Sequence, residues 1–242
     1  MRVGPTPVGD ALRRLDEFGS GAAINRRLEV AFLIARAHLV AMQGHFEAAR
    51  DFASQARALA EESGLDSSHA RTAAGDVELL AGNAAAAERE LHAVCEHLEQ
   101  VGELGFLSSA VPHLADALIA LGRDEEGLLL TERLRPERLT VPEDRDAHVG
   151  WRRVRAKLLA RSGELEEGER LGREAVAIAS ATDVLQLRAQ ALADLAEVLR
   201  LAGRPRESAA ALEEAIRLCE EKGNVVMARQ LRRLLAEPAI EV

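Results

Sequence analysis

The sequence predicts an all-α solenoid of about five helix-turn-helix repeats followed by a C-terminal capping helix. Three observations predict it. Glycines recur at Gly44, Gly82, Gly122, Gly163 and Gly203, 38 to 41 residues apart. A tiny residue stands seven positions before each (Ala37, Gly75, Ala115, Ala156, Ala196) and a small one five positions after (Ala49, Ala87, Gly127, Gly168, Ser208). An apolar residue follows at twelve: Ala56, Val94, Leu134, Ala175 and Ala215. Two antiparallel helices joined by a tight turn must approach closely, and small side chains at the crossing allow it. The glycine ends the first helix in a conformation that is costly for other residues. One hairpin cannot bury its apolar face alone, so neighbours must stack.

The elements follow in order. Residues 1–23 read as a flexible lead, rich in glycine and proline, with a short helix capped by Asp10 and running to Phe18; Gly19-Ser20-Gly21 breaks it. The solenoid then occupies residues 24–236, with repeats at about 24–64, 65–105, 106–146, 147–183 and 184–223. Repeat one pairs Ile24–Gln43 with Phe46–Glu62; Gly64 stops it, and Asp66 or Ser67 caps the next helix. Repeat two pairs Ser68–Ala81 with Ala84–Gln100. Repeat three pairs Ser109–Leu121 with Asp124–Leu134, with Pro112 in a first helical turn, where a missing N–H is harmless. Pro136 to Asp146 is the longest irregular stretch, a place for a bend or a proteolytic nick. Repeat four pairs Ala147–Arg161 with Leu165–Ala179, and repeat five Leu185–Leu201 with Arg206–Lys222. Asn224 caps a last helix, 224–236, which has one neighbour and covers the open end of the stack.

The small, glycine, small and apolar positions resemble the tetratricopeptide repeat family. The resemblance implies a right-handed superhelix whose first helix in each hairpin lines a concave face. The period here is nearer 40 than 34, and the family's Trp and Tyr markers are mostly missing. The second half carries a closer likeness. Trp151-Arg-Arg-Val-Arg-Ala-Lys-Leu-Leu-Ala-Arg-Ser-Gly163, Asp194-Leu-Ala-Glu-Val-Leu-Arg-Leu-Ala-Gly-Arg-Pro205 and Glu221-Lys-Gly-Asn-Val-Val226 resemble the C-terminal helical repeats of bacterial, especially actinobacterial, multidomain regulators. In those an ATPase and a cyclase-type or DNA-binding output domain accompany the repeats. That likeness implies a sensor or scaffold segment, with ATPase or cyclase domains in cis upstream.

Composition narrows the partners. A net charge of −9 argues against a nucleic-acid surface. No apolar run is long enough for a membrane span, and there is no signal-peptide core. Cys95 and Cys219 lie in separate repeats, which reads as reduced thiols in a cytoplasmic protein. Aromatic residues are 2% of the chain, so alanine and leucine must do the packing.

Chemistry-bearing motifs are missing: no phosphate-cradling loop, no His-Glu-x-x-His, no Gly-x-Ser-x-Gly. The chain is therefore expected to be no enzyme and to need no cofactor or metal. His92, Cys95 and His97 are the one cluster with ligand chemistry. His97 is rotated by about 200° from Cys95 on a helix, so the three cannot converge, and His97 occupies the half-buried position held elsewhere by Leu59, Ile178 and Leu218.

Mapped on the repeat family, the residues six before each turn glycine point into the groove: His38, Asp76, Asp116, Lys157 and Glu197. Positions nearby add Met42, His69, Thr72, Arg153, Arg161 and Gln190. This makes a groove acidic in its middle and basic at repeat four. It reads either as a graded surface that selects and orients a protein or peptide partner, or as solvated helix faces with ordinary charge scatter. The carboxylate clamp of chaperone-tail binders wants Asn and Lys where Asp76 and Asp116 stand, so no capture of a free C-terminal carboxylate is expected. A non-catalytic interaction or signal-sensing scaffold leads. The alternative is a small-molecule receptor, for which a dry pocket among His38, Met42, His69, Leu79 and Leu80 would speak.

Overall fold

A computed structural model of the chain describes residues 4–19, 25–135 and 144–236. Among these are twelve helices and no strand: α1 Val8–Gly19, α2 Arg26–Met42, α3 Phe46–Glu62, α4 Ser68–Ala81, α5 Ala84–Val101, α6 Leu104–Ala120, α7 Asp124–Arg133, α8 Arg145–Arg161, α9 Leu165–Ser180, α10 Leu185–Leu201, α11 Pro205–Lys222 and α12 Val225–Ala236. Helices α2/α3, α4/α5, α6/α7, α8/α9 and α10/α11 form five stacked antiparallel hairpins. All five turn glycines have positive φ, from +71° at Gly122 and Gly203 to +95° at Gly163. In each hairpin that contains them, the turn N–H groups close back on the last carbonyls of the first helix.

The small positions sit where the helices cross. Ala37, Ala49, Ala87, Ala115, Ala156 and Ala196 are buried to within 1%. A Cβ on Gly75 would lie 2.5 Å from Leu91 Cγ, and one on Gly168 only 2.8 Å from the Ala156 carbonyl oxygen. Repeat five uses the equivalent contact differently: Ser208 Oγ donates to the Ala196 carbonyl at 2.7 Å. Trp151, the chain's only tryptophan, fills the gap between α7 and α8 and donates Nε1–H to the Thr131 carbonyl at 2.8 Å.

Several expectations from the sequence need correction. Helix α1 begins at Val8, not at a cap on Asp10; the Pro7 carbonyl accepts from Ala11 N, and Asp10 instead pairs with Arg13 at 2.9 Å. Residues 4–9 are not a loose lead, because Lys222, fully buried, donates Nζ to the carbonyls of Gly4 (2.8 Å) and Thr6 (2.7 Å). Of the two candidate caps on α4, Asp66 accepts from Ser68 N at 2.8 Å, and Ser67 makes no side-chain cap. Helix α6 starts five residues before the expected Ser109, so Pro112 lies inside it, not in its first turn. The ring is accommodated by Gly150 of α8: a Cβ there would sit 2.8 Å from Pro112 Cγ. The Gly19–Gly21 break and the prolines at 136 and 142 lie on or within stretches outside the described residues. Asp144, just after, caps α8 by accepting from Ala147 N.

The last helix is not the cover of an open end. Asn224 caps α12, accepting from Met227 N at 3.0 Å, but α12 packs on α2 as well as α11. Gln230 donates to the Leu80 carbonyl at 3.3 Å, and Val226 Cγ2 lies 3.5 Å from where a Cβ on Gly44 would be. Val8, Ala11 and Leu15 of α1 join Leu39 and Met42 in one core cluster. The two ends of the array therefore meet, and the stack closes on itself.

The crossings give a direct test. Ala156→Leu and Ala196→Leu should each overpack a helix crossing and cost about 1–3 kcal/mol, and Ser208→Ala, which removes the side-chain bond to the Ala196 carbonyl, about 1 kcal/mol, measured as shifts of the urea midpoint. Neutral results at both alanines would mean that this packing register is wrong.

Candidate functional site

Closure turns the concave face into a cavity of about 740 Å³, walled by α2, α4, α6, α8, α10 and α12. Of the residues expected at the groove, His38, Met42, His69, Thr72, Asp76, Asp116, Arg153, Lys157 and Gln190 line it, as do Leu79 and Leu80. Arg161 and Glu197 lie outside this lining. They pair with each other on the rim at 2.7 Å, and Arg161 also reaches Asp124 at 3.3 Å.

The polar groups of the wall are ordered by register. Inner helices one repeat apart face each other, so a residue on one meets residues about 37–41 positions away. His38 Nε2 meets Asp76 Oδ2 at 2.8 Å, and His113 Nδ1 meets Asp76 Oδ1 at 2.5 Å. His38 Nδ1 also lies 2.8 Å from the Ile34 carbonyl, so both ring nitrogens face acceptors. Burial alone would push the Asp76 carboxyl up, but the two imidazoles outweigh it and hold it well below the usual carboxylate range.

The next three helices carry a buried quartet. Arg153 spans Asp116 with a two-nitrogen fork (3.0 and 2.5 Å) and reaches Asp194 at 2.8 Å. Lys157 lies 2.9 Å from Asp194 and 3.3 Å from Asp116. Burial opposes every one of these charges. The partners win: Asp116 falls to about 2, Lys157 rises to about 12, and Arg153 is held even more firmly charged. The basic stretch of repeat four is thus inserted between acids of repeats three and five, and the expected charge gradient along the groove is largely cancelled from within.

Elsewhere the wall carries amides, a thioether and an aromatic stack. Asn224 Nδ2 donates to Gln186 Oε1 at 2.9 Å, and Gln186 Nε2 points at Met227 Sδ at 3.4 Å. Phe106 and His69 stack at 3.9 Å between ring centroids with planes 7° apart. His113, Asp194, Phe106 and Met227 escaped the sequence reading. The first two lie nine positions before their turn glycines, about one helical turn from the expected place, and could have been found by extending the inward stripe one turn. Phe106 was hidden by the misplaced start of α6, and Met227 by the assumption of an open end.

The metal-type cluster does not assemble. Cys95 is buried with its thiol pushed up to about 12 by burial, His92 faces Glu96 at 3.6 Å, and His97 binds Asp66 at 2.8 Å. His97 is exposed rather than half-buried, and Leu98 takes the core position beside it.

Residues 149–221 match the family profile described as tetratricopeptide repeat. No curated protein matches the sequence. Among solved structures, NprR in complex with its cognate peptide NprX aligns with a TM-score of 0.69 at 12% identity over 94% of this chain and 66% of that one. The apo form of the quorum sensor NprR from B. thuringiensis gives 0.58 at 11% identity, over 96% of this chain and 67% of that one. Nearly identical TPR-like repeats from Podosopora anserina give 0.52 at 19% identity, over 81% of this chain and 97% of that one. This chain spans about two thirds of the NprR chains.

The quartet predicts a large and a small effect. Arg153→Met leaves two buried carboxylates with one cation and should cost about 3–5 kcal/mol, whereas Arg161→Met on the rim should cost at most about 1 kcal/mol. Because Asp116 and Asp76 are depressed when folded, their contribution is complete above the ordinary carboxylate range and is lost as pH falls through the folded value, about 2 for Asp116. The urea midpoint should accordingly fall between pH 6 and pH 3; a flat profile would contradict the ionised network. Repeat signature and hairpin architecture make the chain an all-α helical repeat protein, and residues 149–221 of it match the tetratricopeptide repeat profile.

Proposed function

We propose that the protein is a non-catalytic recognition scaffold that takes up a short peptide segment in the cavity between its inner helices. The observation that carries this reading is the cavity itself: six helices contribute to one wall, apolar at Met42, Leu80 and Phe106, amide-bearing at Gln186, Gln190 and Gln230. Amide side chains both donate and accept, which suits a peptide backbone, and the apolar patches suit its side chains. The fold shared with NprR, a protein solved with a cognate peptide, agrees with this reading.

Arg153 and Lys157 are each shared by two carboxylates, so neither stands ready for a ligand's terminal carboxylate. The carboxylates of the quartet and Asp76 are committed to cations and imidazoles, which agrees with a non-catalytic reading. A larger setting, with ATPase or cyclase domains in cis in a bacterial cytoplasmic regulator, rests on the likeness of the second half. A small-molecule effector is the second reading. Size favours it, since about 740 Å³ lies within the range of small-ligand pockets.

Selection from a random hexapeptide display library, followed by calorimetric titration of the winners, tests the first reading. Gln190→Trp and Ser109→Trp, both half-buried on the wall, should fill the cavity and lower affinity by about 100-fold or more with the fold retained. Peptide binding indifferent to both variants would sink the cavity as the site, and thermal stabilisation by a metabolite panel without any peptide hit would favour the effector.

A further inference from the structure

We propose that the cavity grips its ligand by a neutral amide unit, anchored on His113 Nε2 and flanked by Ser109 and Gln190. The inference rests on the reading of the cavity as a binding site, and adds where in it the ligand is held and by which chemistry. Most polar groups of the wall are answered from within it. Thr72 Oγ1 donates to the Ser68 carbonyl, Asn224 donates to Gln186, and the quartet sets two carboxylates against two cations. Three lining side chains differ. The Ser109 hydroxyl and the Gln190 amide have no hydrogen-bond partner among the described residues. His113 turns Nδ1 to Asp76 Oδ1 at 2.5 Å, which leaves Nε2 as the free position of the ring. Its side chain is 28% exposed and lines the cavity, so Nε2 meets that space and not the packed wall.

The three groups converge because the register is fixed beside them. Arg153 of α8 reaches Asp116 of α6 and Asp194 of α10 together. The three helices run parallel: Pro112 meets Gly150 one turn before Asp116 meets Arg153, and Arg145 reaches the Ala181 carbonyl ahead of the Arg153–Asp194 pair. One turn toward the N-termini therefore brings His113 to one side, Gly150 to the middle and Gln190 to the other. Gly150 has no side chain, and the Pro112 ring lies against it. Ser109 stands one further turn along the same face of α6 as His113. The result is a recess with a smooth floor and unanswered polar groups on two walls, while Asp76 of α4 holds the imidazole from its other edge.

The recess selects by the cost of desolvation. A charged group placed there would shed its water and find no opposite charge disengaged, since the quartet beside it is balanced and paired. A neutral amide escapes that penalty. Its N–H and C=O match an imidazole nitrogen, a hydroxyl and a carboxamide, which between them donate and accept. A planar unit also lies flat on a floor without side chains. A peptide bond and the amide of a small effector share this chemistry.

The test uses three probes with one body: N-acetyl-leucine methylamide, the corresponding methyl ester, and the free acid. Dissociation constants come from NMR titration of the full chain. Ring-nitrogen resonances of labelled histidine report the imidazole, with His113 assigned by its absence in His113→Phe. The methylamide should bind about tenfold more tightly than the ester or the acid and should move the His113 Nε2 resonance. Ser109→Ala and Gln190→Leu, which break no hydrogen bond within the protein, should weaken the methylamide several-fold and leave the ester nearly unchanged. His113→Phe should abolish the discrimination, and the other two variants keep the proposal testable should this one fail to fold. In a selected hexapeptide, ester replacement at one backbone position should lose its effect in Gln190→Leu; if no position does so while the probes are still discriminated, the amide belongs to a small effector. Equal affinity for the three probes, tighter binding of the acid, or discrimination that survives every folded variant would overturn the anchor and leave the cavity as a site. If no probe binds but selected hexapeptides do, the anchor falls as well; if those also fail, the reading of the cavity falls with it.

Discussion

The architecture depends on a ladder of polar contacts between inner helices one repeat apart. It runs from His38 through Asp76 to His113, from Asp116 through Arg153 and Lys157 to Asp194, and from Gln186 to Asn224. Each rung fixes the register between neighbouring hairpins, because its partner lies on the next inner helix at one repeat's distance. Apolar packing alone would tolerate sliding of these smooth, alanine-rich surfaces. A buried charge does not tolerate it, since a shift by one turn would leave ionised groups unpaired. The ladder therefore contributes specificity of stacking at least as much as stability, and it does so on the face where a ligand would sit.

That double duty explains the character of the cavity. Its charges are numerous but spoken for, which leaves recognition to shape, amides and apolar patches. A peptide or effector inside must displace water from a wall whose strongest electrostatic demands are already met from within the protein. Such a wall discriminates by fit more than by net charge, and it keeps its geometry whether or not a ligand is present.

Much of this was legible in the sequence. The turn glycines and the small residues around them announced hairpins, and their positions located the crossings, because steric exclusion at a crossing is a local property of two or three residues. The inward stripe through His38, Asp76, Asp116 and Lys157 was what the resemblance to the repeat family implied. What was not legible was non-local. Nothing near Lys222 signals that its ammonium meets carbonyls more than 200 residues away, nor does Gln230 announce Leu80. The extra turns of α6 escaped because Pro112 argues locally for a helix start, and only Gly150 on another helix makes room for its ring. Glu197 occupies the same repeat position as Asp116 but reaches the rim, since Asp194, one turn earlier, already answers Arg153.

Closure also changes how such an array can come apart. A linear stack of repeats unfolds most easily from its ends, where a terminal hairpin has one neighbour and frays first. Here α12 packs on α2, so among the described residues the array ends in no hairpin with a single neighbour. Loss of structure must begin by breaking the α12–α2 contact or an interior interface, after which the array regains two ordinary ends and can peel. The protein should thus behave as a single cooperative ring while that contact holds and as a graded string of hairpins once it does not.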